Sequence, residues 1–174
     1  FNETAGHVRR VSTLMRRFAL AAGFTHDQAE TIRIASSMHD VGKIGIPERI
    51  LKKPGKLTER ETDVMRGHAR IGHDLLKASE LEVFSVAATI ALNHHERFDG
   101  TGYPNGIAGY DIPKVARLMA IIDVYDALTH DRVYRRAIPV KDALAHIRSE
   151  SGHHFDPELV DTFIRHFNTI TEGS

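Results

Sequence analysis

The stretch NHHERFDGTGYPNG, residues 93–106, sets two adjacent imidazoles, His94 and His95, at the mouth of a loop with glycines at 100, 102 and 106. Histidine is a ligand, a base or a core residue according to its company. The chain holds 12 histidines with no tag-like run, so their placement carries the information. His7 lies one turn before Val11 on an apolar stripe, with Glu3 a further turn back, so both side chains can point at one target. His39 and Asp40 are neighbours. On a helix, neighbours diverge by about 100°, which suits two faces of a cluster better than chelation of one ion. His68 falls one turn after Val64 and one before Gly72, and His94 continues the apolar positions Ala87, Ile90 and Ala91. Asp123 sits inside the apolar run LMAIIDVYDAL.

Taken singly, an inward histidine is more often a hydrogen-bonded core residue than a ligand, and a buried aspartate can simply cap or pair with arginine. The conjunction changes the balance. Five imidazoles (His7, His39, His68, His94, His95) and two carboxylates (Asp40, Asp123) lie near apolar stripes that converge on one core. Burying them together is costly unless a cation compensates, and metal ions do so most directly. Nitrogen and oxygen donors without sulfur favour Fe, Mn, Zn or Ni. The donors are too many for one ion, so two or three divalent ions sharing a carboxylate, with Asp40 as the bridge, is the economical reading. Paired metals can clamp a phosphoryl group, hold a bridging hydroxide and neutralise the leaving oxygen, which points to phosphoester hydrolysis. Lys43, three residues after Asp40, can orient a phosphate or steady the leaving oxygen, or be a solvated loop lysine. In HDRVYRR, Arg132 and Arg135 offer guanidinium forks for phosphate or a guanine edge, whereas Arg136 reads as a solvated helix end.

The elements that must position these groups read as helical throughout, with no alternation of the kind a half-buried strand requires. The fold class is all-α. A first helix over about residues 3–22 carries Val8, Val11, Met15, Phe18 and Ala22 and stops at Gly23. Thr25 with Gln28 forms a capping box for a second, running to MHD. The prolines and glycines of VGKIGIPERILKKPGKLT mark a long connection with a short helical turn at PERIL. Thr58 with Glu61 caps a helix whose Val64, Met65, His68, Ile71, Gly72 and Leu75 share one side. LEVFSVAATIALNHH leads into the opening loop. Then follow a helix after Pro113, another through PVKDALAHIRSE, and a closing helix capped by Asp156-Pro157. The expectation is a bundle of about seven or eight helices with a metal cluster in its core.

Composition narrows the function further. At 174 residues the chain suits one domain spanning 1–174. Lys plus Arg and Asp plus Glu both number 23, so no global field draws it to a nucleic-acid polymer or an anionic membrane. The absence of cysteine excludes disulfides and thiolate chemistry and fits a cytoplasmic setting. No apolar run reaches membrane-spanning length. The start at Phe1, within an expected helix, suggests a domain excised from a longer protein.

Together these strings resemble the HD-GYP family, a branch of the HD metal-dependent phosphohydrolases, over nearly the whole chain. HDVGKIGIPERILKKPGKLT is similar to the family's HD segment, and HHERFDGTGYP to its HHE, DG and GYP elements. IIDVYDALTHDRVYR and HFDP resemble its downstream motifs. The resemblance implies an all-helical HD-type domain, usually attached to a sensor or receiver domain, that hydrolyses cyclic di-GMP to pGpG or GMP. It implies metal ligands at His39, Asp40, His68, His94, His95 and Asp123, with Glu3 and His7 added where a third metal binds. Fe or Mn is favoured, with Zn or Ni open. Lys43, Tyr103, Arg132 and Arg135 fall where substrate contacts are expected. Val133 departs from the proline often found between the arginine and tyrosine of that segment, without removing a functional group. Two other readings stay open. One is an HD phosphohydrolase of another nucleotide or cyclic dinucleotide. The other is a catalytically silent sensor, or a module docking a diguanylate cyclase through the GYP loop.

Overall fold

Local chemistry sets the element boundaries. In the computed structural model, which describes residues 5–131 and 136–173, both expected capping boxes form. Thr25 Oγ1 accepts from the Gln28 N–H at 3.2 Å while Gln28 Oε1 accepts from the Thr25 N–H at 2.9 Å. Thr58 and Glu61 exchange the same pair at 3.3 and 2.8 Å. Each box satisfies amide groups that a helix start otherwise leaves open.

Ten α-helical segments follow in chain order among the described residues: α1 Ala5–Ala21, α2 His26–Ser36, α3 Glu48–Leu51, α4 Glu59–Arg66, α5 His68–Leu76, α6 Glu82–Asn93, α7 Lys114–Thr129, α8 Val140–Ser149, α9 Pro157–Arg165 and α10 Phe167–Thr171. Short 3-10 turns occupy Val41–Gly45 and Gly109–Asp111, and the only β-type pairing described is an isolated bridge between Ser151 and Phe155. The all-α expectation holds. The segments outnumber the seven or eight expected because two helices break, one at Gly67 between α4 and α5, the other at His166 between α9 and α10.

The inward face expected for the region around Gly67 is also corrected. Val64 and Leu75 are exposed, and the buried positions of α5 are His68, Ala69, Gly72 and Leu76. The buried face of α5 is centred between Ala69 and Gly72, which turns Leu75 aside, and α4 buries none of its residues. The second helix likewise ends at Ser36, before MHD. Ser36 and Ser37 bond back to the carbonyls of Arg33 and Ile34 at 2.9 and 2.6 Å, and the chain tightens into three-residue turns through His39.

The core is a cluster of fully buried side chains from Val11, Met15 and Phe18 of α1, Ile90 of α6, Ile121 and Ile122 of α7, and Phe163 of α9. Each large apolar side chain removed from water contributes about 1.5–3 kcal/mol. Phe18 and Phe163 meet at 5.3 Å between ring centroids, and Tyr125 meets Phe163 at 5.4 Å. Helix α1 lies against α2 and α7, α2 against α6, and α6 against α5. That arrangement brings one end of five segments together.

Candidate metal centre

The converging ends carry the histidines. His7 comes from α1, His39 and Asp40 from the turn after α2, and His68 from the first position of α5. His94 and His95 follow the last residue of α6, and Asp123 sits within α7. His7, His39, His68 and His94 are buried, and Asp40, His95 and Asp123 are partly buried. They form two groups. Ligand atoms of Asp40, His68, His94 and His95 lie within 4.8 Å of one another, and so do those of His7, His39 and Asp123.

Asp40 faces both groups with different oxygens. Its Oδ1 is 3.0 Å from His68 Nε2 and 3.5 Å from His94 Nε2, while its Oδ2 is 3.4 Å from His39 Nε2 and 2.6 Å from Lys43 Nζ. A backbone close approach enforces this. A Cβ on Gly42 would fall 1.9 Å from the His68 carbonyl oxygen and 2.4 Å from the Gly72 nitrogen, so any side chain there would drive the turn off α5.

The imidazoles are oriented through Nδ1. His39 Nδ1 lies 2.9 Å from the Ser36 carbonyl, His68 Nδ1 2.7 Å from that of Met65, and His94 Nδ1 3.0 Å from that of Ile90. A carbonyl only accepts, so each Nδ1 carries the proton and Nε2 turns inward. His7 Nδ1 instead meets Asp126 Oδ2 at 2.6 Å, and Arg10 grips that carboxylate at 2.7 and 3.1 Å. Burial pushes Asp126 up, but His7 and Arg10 outweigh it and hold its pKa at about 2.

This geometry tests whether a metal fits. Asp40 Oδ1, His68 Nε2 and His94 Nε2 are fully buried without a properly aligned hydrogen bond. Burial alone would raise the pKa of Asp40, yet its contacts with His39, His68 and His94 hold it well below the usual carboxylate range. The ionised carboxylate requires positive charge at the Nε2 atoms facing it, supplied by protons or by a metal ion. Burial, with His94 and His68 close by, pushes His95 well below the ordinary imidazole value, which shows what crowding protonated rings here would cost. Inward Nε2 lone pairs, hydrogen-bonded Nδ1 groups and a shared carboxylate suit a divalent metal centre.

The loop after His95 folds over this end. A Cβ on Gly102 would meet the Arg97 nitrogen at 2.4 Å and the His95 carbonyl at 2.5 Å, so glycine lets the chain cross directly over the HHE backbone. Tyr103 then stacks on His95, with centroids 4.8 Å apart and planes 18° from parallel, and the Arg66 guanidinium lies 5.0 Å from the tyrosine ring centre. Burial, with Asp40 nearby, pushes the tyrosine pKa up to about 12, so the hydroxyl stays protonated and can donate. Arg136 is exposed, as expected. Glu3, Arg132 and Arg135 lie outside the described residues.

A scan of family models matches the HD domain over residues 2–159. The chain belongs to the HD-domain family. Its HD-GYP resemblance is supported by relatives of the same kind. The chain is 44% identical over 162 residues to the cyclic di-GMP phosphodiesterase response regulator RpfG of Xanthomonas campestris pv. campestris, covering 93% of this chain and 43% of that protein. It is 40% identical over 166 residues to 3'3'-cGAMP-specific phosphodiesterase 2 of Vibrio cholerae, covering 95% of this chain and 32% of that protein. Among solved structures, an HDG"Y"P protein from Bdellovibrio bacteriovorus shares the fold at a TM-score of 0.70 and 18% identity, over 92% of this chain and 51% of that one. The HD domain thus spans less than half the length of these curated relatives.

Two groups at this site were given no role from the sequence. Asp126 orients His7, and its signal was a second carboxylate one turn after Asp123 on the same apolar helix. Glu96, the last letter of HHE, is only 2% exposed, and no spacing rule distinguishes it from a solvated residue.

Proposed function

We propose that this HD domain is a metal-dependent phosphodiesterase that hydrolyses cyclic di-GMP, to linear pGpG or on to GMP, in bacterial second-messenger signalling. The observation that carries this reading is Asp40, whose two oxygens face two separate groups of imidazoles, the disposition of a carboxylate shared between two metal ions. In this reading His68, His94 and His95 would hold one ion, and His7, His39 and Asp123 would hold another. Glu3 would add to the His7 side if a third ion binds, and Fe or Mn suits the donor set best. Bound divalent ions supply Lewis-acid activation of water and neutralise charge on the phosphoryl oxygens.

The chain's own residues do the rest. Lys43, already on Asp40 Oδ2, places a cation at the rim where a phosphate would approach. Tyr103, held between His95 and Arg66, presents a protonated hydroxyl beside the cluster, which favours contact with substrate over the docking of a diguanylate cyclase. Arg132 and Arg135 are assigned to the substrate's second phosphate or a guanine edge. No helix among the described residues is long and apolar enough to cross a membrane. A cytoplasmic setting and an attached sensor or receiver domain belong to the same proposal.

Incubating anaerobically purified protein with Mn(II) or Fe(II) and cyclic di-GMP, with chromatography of the products, tests the reading. Turnover to pGpG or GMP is expected, and metal-loaded protein without turnover would refute it. A second substrate, 3'3'-cGAMP, deserves a parallel reaction because relatives of comparable identity carry that name. Preference for cGAMP would move the specificity while leaving the chemistry in place.

A further inference from the structure

Glu96 is a buried carboxylate outside both groups of candidate ligands, and its side chain makes one hydrogen bond among the described residues. Oε1 accepts from the Asn105 N–H at 2.7 Å, while Oε2 is fully buried without a hydrogen-bond partner. Burying a carboxylate is costly, so a residue that makes a single bond there has that bond as its evident use. The bond closes the GYP loop across nine residues. The far side of the same asparagine is tied as well, its Oδ1 accepting from Arg70 of α5 at 2.8 Å.

The two legs of the loop are held differently. Phe98 and Asp99 donate backbone hydrogen bonds to the carbonyls of His154 and His153 at 3.1 and 2.9 Å, which fixes the outgoing leg to the chain before α9. The returning leg, Tyr103 to Asn105, has a longer 3.3 Å bond from the Tyr103 N–H to the His95 carbonyl, plus the Asn105 anchor. The other restraints on this leg are the close crossing of Gly102 over the HHE backbone and the stacking of Tyr103 on His95, neither of which is a hydrogen bond.

We propose that Glu96 is a positioning residue. It latches the returning leg through Asn105, so that the Tyr103 ring stays between His95 and Arg66 and offers its edge and hydroxyl to a dinucleotide. This rests on the phosphodiesterase reading, with Tyr103 meeting the nucleotide and not the reacting bond. The latch therefore governs recognition of a whole cyclic dinucleotide and not hydrolysis of a minimal phosphodiester.

Glu96→Ala and Glu96→Gln test it, each read by hydrogen exchange of the peptides covering residues 101–107, by metal content, and by kinetics on two substrates. In Glu96→Ala, exchange of those peptides is expected to rise and KM for cyclic di-GMP to increase about 10-fold. Metal content should be unchanged, and kcat/KM for bis(p-nitrophenyl) phosphate should stay within about 2-fold. Glu96→Gln keeps an oxygen for the Asn105 N–H and should restore both exchange and KM, which a charge acting on the metal site would not allow. The proposal is overturned if Glu96→Gln is as impaired as Glu96→Ala, or if Glu96→Ala loses metal or slows both substrates alike. Should the wild-type protein hydrolyse neither substrate, the activity reading fails, yet loop exchange still decides the latch. If Glu96→Ala does not fold, Arg70→Ala removes the second tie from outside the buried site. It should raise exchange of the same peptides to a smaller degree, and unchanged exchange would refute Asn105 as the anchor.

Discussion

The two halves of the histidine cluster share one means of orientation and differ by a second: His39, like His68 and His94, leans on a backbone carbonyl, whereas His7 leans on a side chain. On the α5–α6 side, His68 and His94 lean on backbone carbonyls of their own local turns, so their ring positions follow from helix geometry alone. On the α1–α7 side, His7 is set by Asp126, itself held by Arg10, a chain of side-chain charges between two helices. His68 and His94 are thus as firmly placed as the backbone beneath them. The placement of His7 depends on an ionised carboxylate and on α1 staying against α7. Asp40 joins the halves, since each of its oxygens serves one.

The largest effect is therefore expected from the shared residue. Asp40→Ala should lower turnover by about 10³-fold or more and reduce metal content on both sides, as elemental analysis of anaerobically purified protein would show. If the variant still bound one equivalent of metal with wild-type affinity, Asp40 would belong to one half only. A smaller and one-sided effect is expected from Asp126→Asn, which keeps an acceptor for His7 but removes the charge. Loss of such an orienting carboxylate weakens metal binding by about 10–100-fold. A metal titration should then separate into a step unchanged from wild type and a weakened one. Uniform weakening of all steps would dissolve the distinction between the halves.

The same contrast marks what the sequence could reveal. His7, His68, His94 and Asp123 were recognisable because each interrupts or extends an apolar stripe, and such stripes converge when helices share a core. The capping boxes at Thr25 and Thr58 were legible because both partners lie within three residues. Which ligands share a group was not, because it turns on which oxygen of Asp40 faces which ring, a matter of tertiary packing around Gly42. That glycine reads as a loop marker until His68 is found against it. Val64 and Leu75 share the apolar side expected to face inward, but α4 buries no residue and α5 turns Ala69 and Leu76 inward, which depends on where α6 packs. Asp126 lacked any sequence sign of its partner, since His7 lies 119 positions away.

The smallest expected effect concerns stability, and it isolates the charged half from metal altogether. In chelated protein Asp126 has a pKa of about 2 in the fold against an ordinary value of 3.8, because His7 and Arg10 outweigh the cost of burial. A depressed folded-state pKa means the ionised carboxylate stabilises the fold above about pH 4, and that this contribution is lost as pH falls from there toward about 2. The difference is about 2 kcal/mol at most. Urea unfolding of wild type and Asp126→Asn should therefore differ most near pH 5 and converge as the pH drops through that window, the wild type losing stability more steeply. Parallel pH profiles for the two proteins would mean that the α1–α7 side is held by packing, and that Asp126 follows His7 and does not set it.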